Sequence, residues 1–90
     1  MQDRKNELQK TLASIIKNYR KTSITKLSDE IGISKSILSD LENGNRDIKL
    51  STLWKIAEGL EILPSVILHD VEMKLGKNFS FLENTPADIE

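Results

Sequence analysis

Two short apolar helices separated by a glycine are the feature that most limits how this chain can fold. They occupy a 20-residue segment in which Leu27 and Ile31 share one helical face, and Leu38 and Leu41 share another. Gly32 stands between them, and glycine readily adopts the left-handed backbone conformation that ends a helix sharply. The segment is therefore expected to form a helix, a tight turn and a second helix at a steep angle.

Polar residues at the helix ends supply the expected start and stop signals. Ser23 and Ser34 each precede a helix and are suited to accept a hydrogen bond from a free backbone N–H. The pair Asn43-Gly44 is expected to stop the second helix. Further along the chain, Ser51 is expected to cap another helix.

Helical periodicity on both sides of this segment leads to an all-α prediction. Before it, an apolar stripe predicts a first helix over about residues 4–20, formed by Leu8, Leu12, Ile15, Ile16 and Tyr19. After it, a broad apolar face predicts a fourth helix, formed by Leu53, Trp54, Ile56, Ala57 and Leu60. Pro64 suits the first turn of a short fifth helix. We expect a compact five-helix domain over residues 1–69.

Residues 70–90 are expected to form a C-terminal appendage, for which two structures remain open. Apolar and polar residues alternate on both sides of a glycine-containing turn, a pattern that predicts a short β-hairpin used for dimerisation. The alternative is that the fifth helix continues to Leu75 and then frays. The last residues, 85–90, are expected to be disordered.

The composition excludes several classes of protein. Ninety residues allow one domain and a short appendage. The lack of cysteine excludes a disulfide or thiolate zinc site, and the single histidine, His69, excludes a multi-histidine metal site. We predict no metal, cofactor or catalytic residue, because no paired carboxylates, phosphate-cradling loop or nucleophile–base pair is evident. No apolar run approaches the roughly 20 residues of a membrane helix, and no secretory signal follows Met1.

The formal net charge of −1 hides an uneven distribution of charge. Residues 1–55 carry 11 Lys and Arg against 7 Asp and Glu, a net +4, whereas residues 56–90 carry 2 against 7, a net −5. A basic part and an acidic part can face different partners, so the whole-chain charge does not argue against nucleic-acid binding. The alternative is a solvated surface with chance asymmetry.

The segment LSDEIGISKSILSDLENGNRDIKLSTLWKIAEGL resembles the phage Cro and repressor-type (XRE) helix-turn-helix family. The matching elements are the IGIS turn, the LENG end of the second motif helix and the STLWKIAEGL helix, in the family's order and spacing. The resemblance covers about residues 8–68. It implies a repressor-like bundle of five helices that binds duplex DNA, with its third helix in the major groove.

The resemblance assigns two sets of DNA-contacting residues. The outward face of the third helix would contact base edges through Lys35, Ser36, Ser39, Asp40 and Asn43. The start of the second helix, the cap of the third and the following loop would contact phosphates through Ile24, Thr25, Lys26, Ser34, Arg46 and Lys49. For Ile24 and Thr25 the expected contact is through the backbone N–H groups.

Three residues of the motif depart from what is common in the family. Ile24 stands where glutamine is common, and Ile37 stands where a small polar residue is common. Asp40 places an acid where a basic or amide residue is common, and its charge repels phosphate. It would accept a hydrogen bond from cytosine N4 or orient Lys35 or Arg46.

The connection between the first two helices is also shorter than usual in the family and lacks its glycine. In the family, a basic residue of the first helix pairs with the glutamate of the ENG sequence, which is Glu42 here. Arg20 and Lys17 are both candidates for the partner.

Surplus apolar residues near the C-terminus predict a homodimer interface formed by Leu63, Val66, Ile67, Leu68, Phe79 and Phe81. The alternative is that they close the core of a monomer. The predicted function is a sequence-specific transcriptional regulator of a prokaryote or phage. It would be a cytoplasmic, nucleoid-associated repressor that binds a palindromic operator as a homodimer, with an antirepressor or toxin protein as a further partner. The alternative function is a protein-interaction module of the same fold that has lost DNA binding.

Overall fold

The computed structural model describes residues 2–82, and over this range the chain forms five α-helices. They are α1 (Gln2–Tyr19), α2 (Ile24–Ile31), α3 (Lys35–Glu42), α4 (Leu50–Leu60) and α5 (Pro64–Leu75). No β-strand occurs within the described residues. The prediction of an all-α, five-helix domain is confirmed.

One apolar core joins all five helices. Its buried residues are Leu12, Ile15, Ile16, Leu27, Leu38, Leu41, Leu53, Ile56, Ala57, Ile67 and Val71. Helix α1 packs against α3 and α5, α2 packs against α3 and α4, and α4 packs against α5. The apolar stripe predicted on the first helix therefore lies in the core, where it connects α3 to the C-terminal helix.

Helix α5 runs unbroken from Pro64 to Leu75, so the helix-continuation alternative is correct and the hairpin is wrong for the described residues. Ile67, Val71 and Leu75 are spaced four apart and form one inward stripe, in which Ile67 and Val71 are buried and Leu75 packs against the core. The predicted domain boundary at residue 69 falls inside this helix. The tail expected over residues 85–90 lies outside the described residues.

The same stripe corrects one residue of the predicted dimer interface. Ile67 is fully buried within the chain's own core, so it has no surface to offer a second copy. The predicted cap of α4 is also wrong, because Lys49 occupies the N-cap position without a side-chain hydrogen bond and the helix begins at Leu50. Ser51 lies instead within the first turn.

A polar contact joins the C-terminal end of α1 to the middle of α5. The Tyr19 hydroxyl donates a short hydrogen bond to the Asp70 carboxylate. This bond raises the pKa of Tyr19 above its usual value of 10.0, and desolvation and the negative charge of Asp70 raise it further. The phenol therefore remains a neutral donor across the physiological pH range.

Gly59 allows α4 to approach α2 closely. A Cβ atom at this position would lie 2.5 Å from Ile31 Cγ2 and 2.7 Å from Leu27 Cδ1. Leu27 is buried in the core, so it has little room to move away. The contact between the two helices therefore requires a residue without a side chain.

We predict that Gly59→Ala lowers the free energy of unfolding by about 1–3 kcal/mol, the usual cost of forcing an extra methyl into a packed site. Helix propensity alone would change stability in the opposite direction, because alanine favours a helix interior over glycine by about 0.5–1 kcal/mol. Chemical denaturation followed by circular dichroism measures the difference. Ser51→Ala, at an exposed position of the same helix, is the control and should change little. A Gly59→Ala variant as stable as the parent would contradict the close contact.

Candidate nucleic-acid interface

The turn between α2 and α3 is fixed by local interactions on both sides. Gly32 ends α2 in the left-handed conformation, with φ 73°, as predicted. The Ser28 hydroxyl donates to the Ile33 carbonyl oxygen at 2.6 Å and so ties the end of α2 to the residue beyond the turn. These local interactions therefore help to fix the relative orientation of the two helices.

Both helices begin at the predicted serine caps. Ser23 Oγ accepts a hydrogen bond from the Lys26 N–H at 3.1 Å, and Ser34 Oγ accepts one from the Ile37 N–H at 3.2 Å. The first backbone N–H groups of an α-helix have no acceptor within it. Those of Ile24 and Thr25 are therefore available at the start of α2, where the helix dipole favours an anion.

Helix α3 separates a buried face from a polar face. Leu38, Leu41 and Glu42 point inward and are buried. The predicted base-contacting residues are all accessible: Lys35, Ser36 and Asn43 are exposed, and Ser39 and Asp40 are half-buried. Because they are spaced one, four, five and eight residues from Lys35, they lie along one side of the helix. The structure therefore brings this predicted set together on a single surface.

The loop after α3 is held by the end of that helix. The Asn45 N–H donates to the Asp40 carbonyl oxygen at 2.9 Å, and the Gly44 N–H donates to the Leu41 carbonyl oxygen at 3.2 Å. Gly44 has a φ of 74°, the left-handed stop expected from the sequence. These bonds place the following residue, Arg46, close to the exposed face of α3.

Helix α1 contacts this loop through residues for which the sequence predicted no such role. Gln9 Nε2 donates to the Gly44 carbonyl oxygen at 3.4 Å. A Cβ atom on Gly44 would lie 2.9 Å from Lys10 Cγ, so the turn packs directly on the helix. Lys5 Nζ lies 3.6 Å from Asp47 Oδ2. These roles depend on tertiary contacts, whereas the sequence alone places Gln9 and Lys10 on the polar face of the first helix.

Four of the residues predicted to contact DNA are exposed cations. Lys26, Lys35 and Lys49 are exposed, and none of the ion pairs among the described residues involves them. Arg46 is also exposed, but its Nη2 lies 3.6 Å from Asp40 Oδ2. Of the three interactions suggested for the Asp40 side chain, the one with Arg46 is therefore present in the free protein.

The two isoleucines that depart from the family's pattern pack against the core. Ile24 and Ile37 are both half-buried and pack against the apolar cluster. The Ile24 side chain therefore contributes no polar contact at the surface. Its backbone N–H remains the group that can face a phosphate.

Arg20 is the partner of Glu42, which decides between the two candidates. Arg20 Nε and Nη2 donate to the two Glu42 oxygens at 2.6 and 2.9 Å, and Nη1 donates to the Thr22 carbonyl oxygen at 2.6 Å. The side chains are 20% and 6% exposed, respectively. The hydrogen bond to Glu42 raises the pKa of Arg20, although burial opposes it. Lys17 is exposed.

Neither a metal site nor a membrane span is found in the part of the chain that the structure describes. It has no group of three or more His, Cys, Asp or Glu side chains that could hold a metal ion. None of the helices in residues 2–82 is long and apolar enough to cross a membrane.

A short helix, a glycine turn and a second helix with an exposed polar face define a helix-turn-helix protein. The helix-turn-helix family model matches residues 9–67, a range that includes all of α2, α3 and α4. The chain belongs to this family, of the XRE type that the sequence resembles. The family is a non-enzymatic class, in agreement with the prediction that the chain is not an enzyme.

Two curated relatives each match about half of the chain. The uncharacterized HTH-type transcriptional regulator YozG of Bacillus subtilis (strain 168) is 48% identical over 50 residues, which are 54% of this chain and 60% of the relative. The HTH-type transcriptional regulator SutR of Escherichia coli (strain K12) is 34% identical over 47 residues, which are 52% of this chain and 26% of the relative. The match thus spans less than two thirds of each relative's length.

We predict that Arg20→Ala lowers the free energy of unfolding by about 3–5 kcal/mol, because it leaves the buried Glu42 carboxylate without a cation. Glu42→Ala should cost less, since Arg20 is more exposed and can turn to solvent. Urea denaturation at neutral pH measures both. Lys17→Ala, which removes the other candidate cation, should change the value by less than about 0.5 kcal/mol. Equal stability of the Arg20 and Lys17 variants would show that the pair does not hold the fold.

Proposed function

We propose that this protein is a sequence-specific, double-stranded-DNA-binding transcriptional regulator. The observation that carries the proposal is the polar face of α3, which is accessible along its length while the opposite face is buried in the core. An α-helix fits the major groove of B-DNA, where each base pair presents a distinct set of donors and acceptors. The names of both curated relatives describe transcriptional regulators, which supports the same function.

The proposed contacts divide into two kinds. Lys35, at the start of α3, would donate to guanine O6 and N7, and Ser36, Ser39 and Asn43 would contact neighbouring base edges. The phosphates would be bound by the free N–H groups at the start of α2, by Lys26 and Ser34, and by the loop residues Arg46 and Lys49. Contacts of the second kind orient the protein on the duplex and carry no sequence information.

The test is selection of bound sites from random duplex DNA, followed by binding titrations at several salt concentrations. We expect enrichment of a defined site. Lys35→Ala should weaken binding to that site by about 5- to 150-fold, the range for a base-edge contact, and should relax the preference at one position. Lys49→Ala should weaken binding to all sequences alike and reduce the salt slope by about 1.

Lys74→Ala is the matched control, because Lys74 is an exposed lysine in the last turn of α5 and plays no part in the proposed contacts. It should leave both affinity and salt slope unchanged. If no site is enriched and the protein is not retained on DNA at low salt, the proposal is wrong. The protein-interaction module of the same fold would then be the better function.

We further propose that the protein acts as a homodimeric repressor. One recognition helix contacts few base pairs, whereas a two-fold dimer reads two half-sites about 34 Å apart on a palindromic operator. Exposed apolar side chains on α5 and on both sides of it support this proposal. They are Leu63, Val66, Leu68 and Phe81, together with Met73, which the prediction did not include. A dimer bound across a promoter would exclude polymerase, which is the simplest form of repression.

The aromatic residues that follow α5 form part of the proposed surface. Phe79 and Phe81 pack edge to face with ring centroids 5.6 Å apart. The Arg4 guanidinium carbon lies 6.0 Å from the centre of the Phe79 ring. The segment therefore folds back towards the start of α1, and Phe81 keeps an exposed face.

We expect sedimentation equilibrium at micromolar concentration to give a dimer mass, and Leu63→Lys together with Val66→Lys to give a monomer of unchanged helicity. Both substitutions place charge on an apolar surface that dimerisation would bury. Trp54→Lys, at an exposed apolar residue of α4, is the control and should leave the mass unchanged. A parent protein that is monomeric throughout would exclude the homodimer without bearing on DNA binding.

A further inference from the structure

Asp40 occupies an unusual place for an acid, at the centre of the surface that would meet DNA. Its carboxylate lies 3.6 Å from Arg46 Nη2, and its backbone carbonyl accepts the Asn45 N–H at 2.9 Å. It thus holds the loop after α3 at two points. The exposed cations Lys35 and Lys49 lie before and after it in the chain.

Stability does not explain this ion pair. The two side chains are 48% and 49% exposed, and the charged atoms are farther apart than in a close hydrogen bond. Exposed pairs of this kind contribute little to the stability of the fold. The carboxylate also lowers the positive potential of the surface, which weakens attraction to any phosphate backbone. The Asp40 carboxylate is therefore expected to affect DNA binding rather than stability.

We propose that Asp40 is a specificity-determining residue that makes tight binding depend on a cytosine in the operator. The inference rests on the proposed function. Arg46 has one partner in the free protein and a different one in the complex with DNA. In the free protein Arg46 pairs with Asp40. When α3 enters the major groove, Arg46 exchanges the carboxylate for a phosphate, and Asp40 accepts a hydrogen bond from the cytosine N4 amino group.

The choice of base follows from the chemistry of the groove. Cytosine presents the N4 amino donor, whereas guanine presents the acceptors O6 and N7, and thymine presents the acceptor O4. Adenine has an N6 donor, but its N7 acceptor lies beside it and repels a carboxylate. A carboxylate enclosed by DNA without a donor loses its solvation and gains nothing in return. Asp40 therefore penalises other bases as well as favouring cytosine, which is how repulsion contributes to specificity.

The experiment compares the parent protein with Asp40→Asn in selection from random duplex DNA and in salt titrations. An asparagine side chain pairs with adenine through N6 and N7. We expect the selected base at one position to change from cytosine to adenine. We also expect affinity for non-specific duplex to rise, with a salt slope steeper by about 1, because Arg46 is free to meet a phosphate.

Asp47→Asn is the matched control. Asp47 is an exposed acid of the same loop, and it too forms an ion pair at 3.6 Å. Its partner is Lys5 on α1 rather than Arg46. The control removes an identical charge and should leave the selected sequence unchanged. Arg46→Gln provides a second test, because it should keep the cytosine preference while reducing the salt slope by about 1.

The outcomes separate this inference from the proposed function. If the parent protein enriches a site but Asp40→Asn enriches the same sequence, the role of Asp40 is wrong and the DNA-binding function stands. If Asp47→Asn changes the selected base as Asp40→Asn does, general charge rather than Asp40 sets the preference, and the inference is again wrong. If the parent protein enriches no site, the proposed function fails and this inference fails with it.

Discussion

The bidentate ion pair between Arg20 and Glu42 connects parts of the chain that local structure alone would leave independent. Arg20 follows the end of α1, and its third nitrogen donates to the Thr22 carbonyl oxygen in the connection to α2. Glu42 is the last residue of α3. One guanidinium therefore connects the end of α1, the start of α2 and the end of α3. A buried carboxylate requires such a partner, because desolvation of an unpaired charge is costly.

This constraint matters because the helices of the motif are short. Helices α2 and α3 have eight residues each, and isolated helices of that length are not stable in water. Their apolar stripes gain stability by packing against each other and against α1 and α4. The division of α3 into a buried face and an accessible face thus has two consequences. The buried face holds the helix in place, and the accessible face is free to carry polar residues that packing does not select.

Local signals were predicted well from the sequence, whereas features set by distant contacts were not. The caps Ser23 and Ser34 and the turn residue Gly32 depend on neighbouring residues, so the sequence contains the information needed to place them. The cap predicted at Ser51 is the exception, because α4 begins one residue earlier. The partner of Glu42 remained open because helical spacing does not show which cation turns inward. The sequence predicts Ile67 at a dimer surface because Val66, Ile67 and Leu68 are consecutive apolar residues. In a short helix, nothing in the sequence shows which of the three is buried. Once α5 reaches Leu75, four-residue spacing identifies Ile67 as core.

The end of α4 has the left-handed conformation of a glycine stop without a glycine. Glu61 adopts a φ of 63°, a left-handed conformation that favours glycine. The conformation persists because the Glu61 N–H donates to the Glu58 carbonyl oxygen at 3.1 Å and the Ile62 N–H donates to that of Ala57 at 3.0 Å. These bonds turn the chain so that Pro64 begins α5 against the core. A non-glycine residue in this conformation is strained and persists only where the surrounding structure holds it. The buried stripe of α5 packs against the core just beyond this turn and so holds it in place.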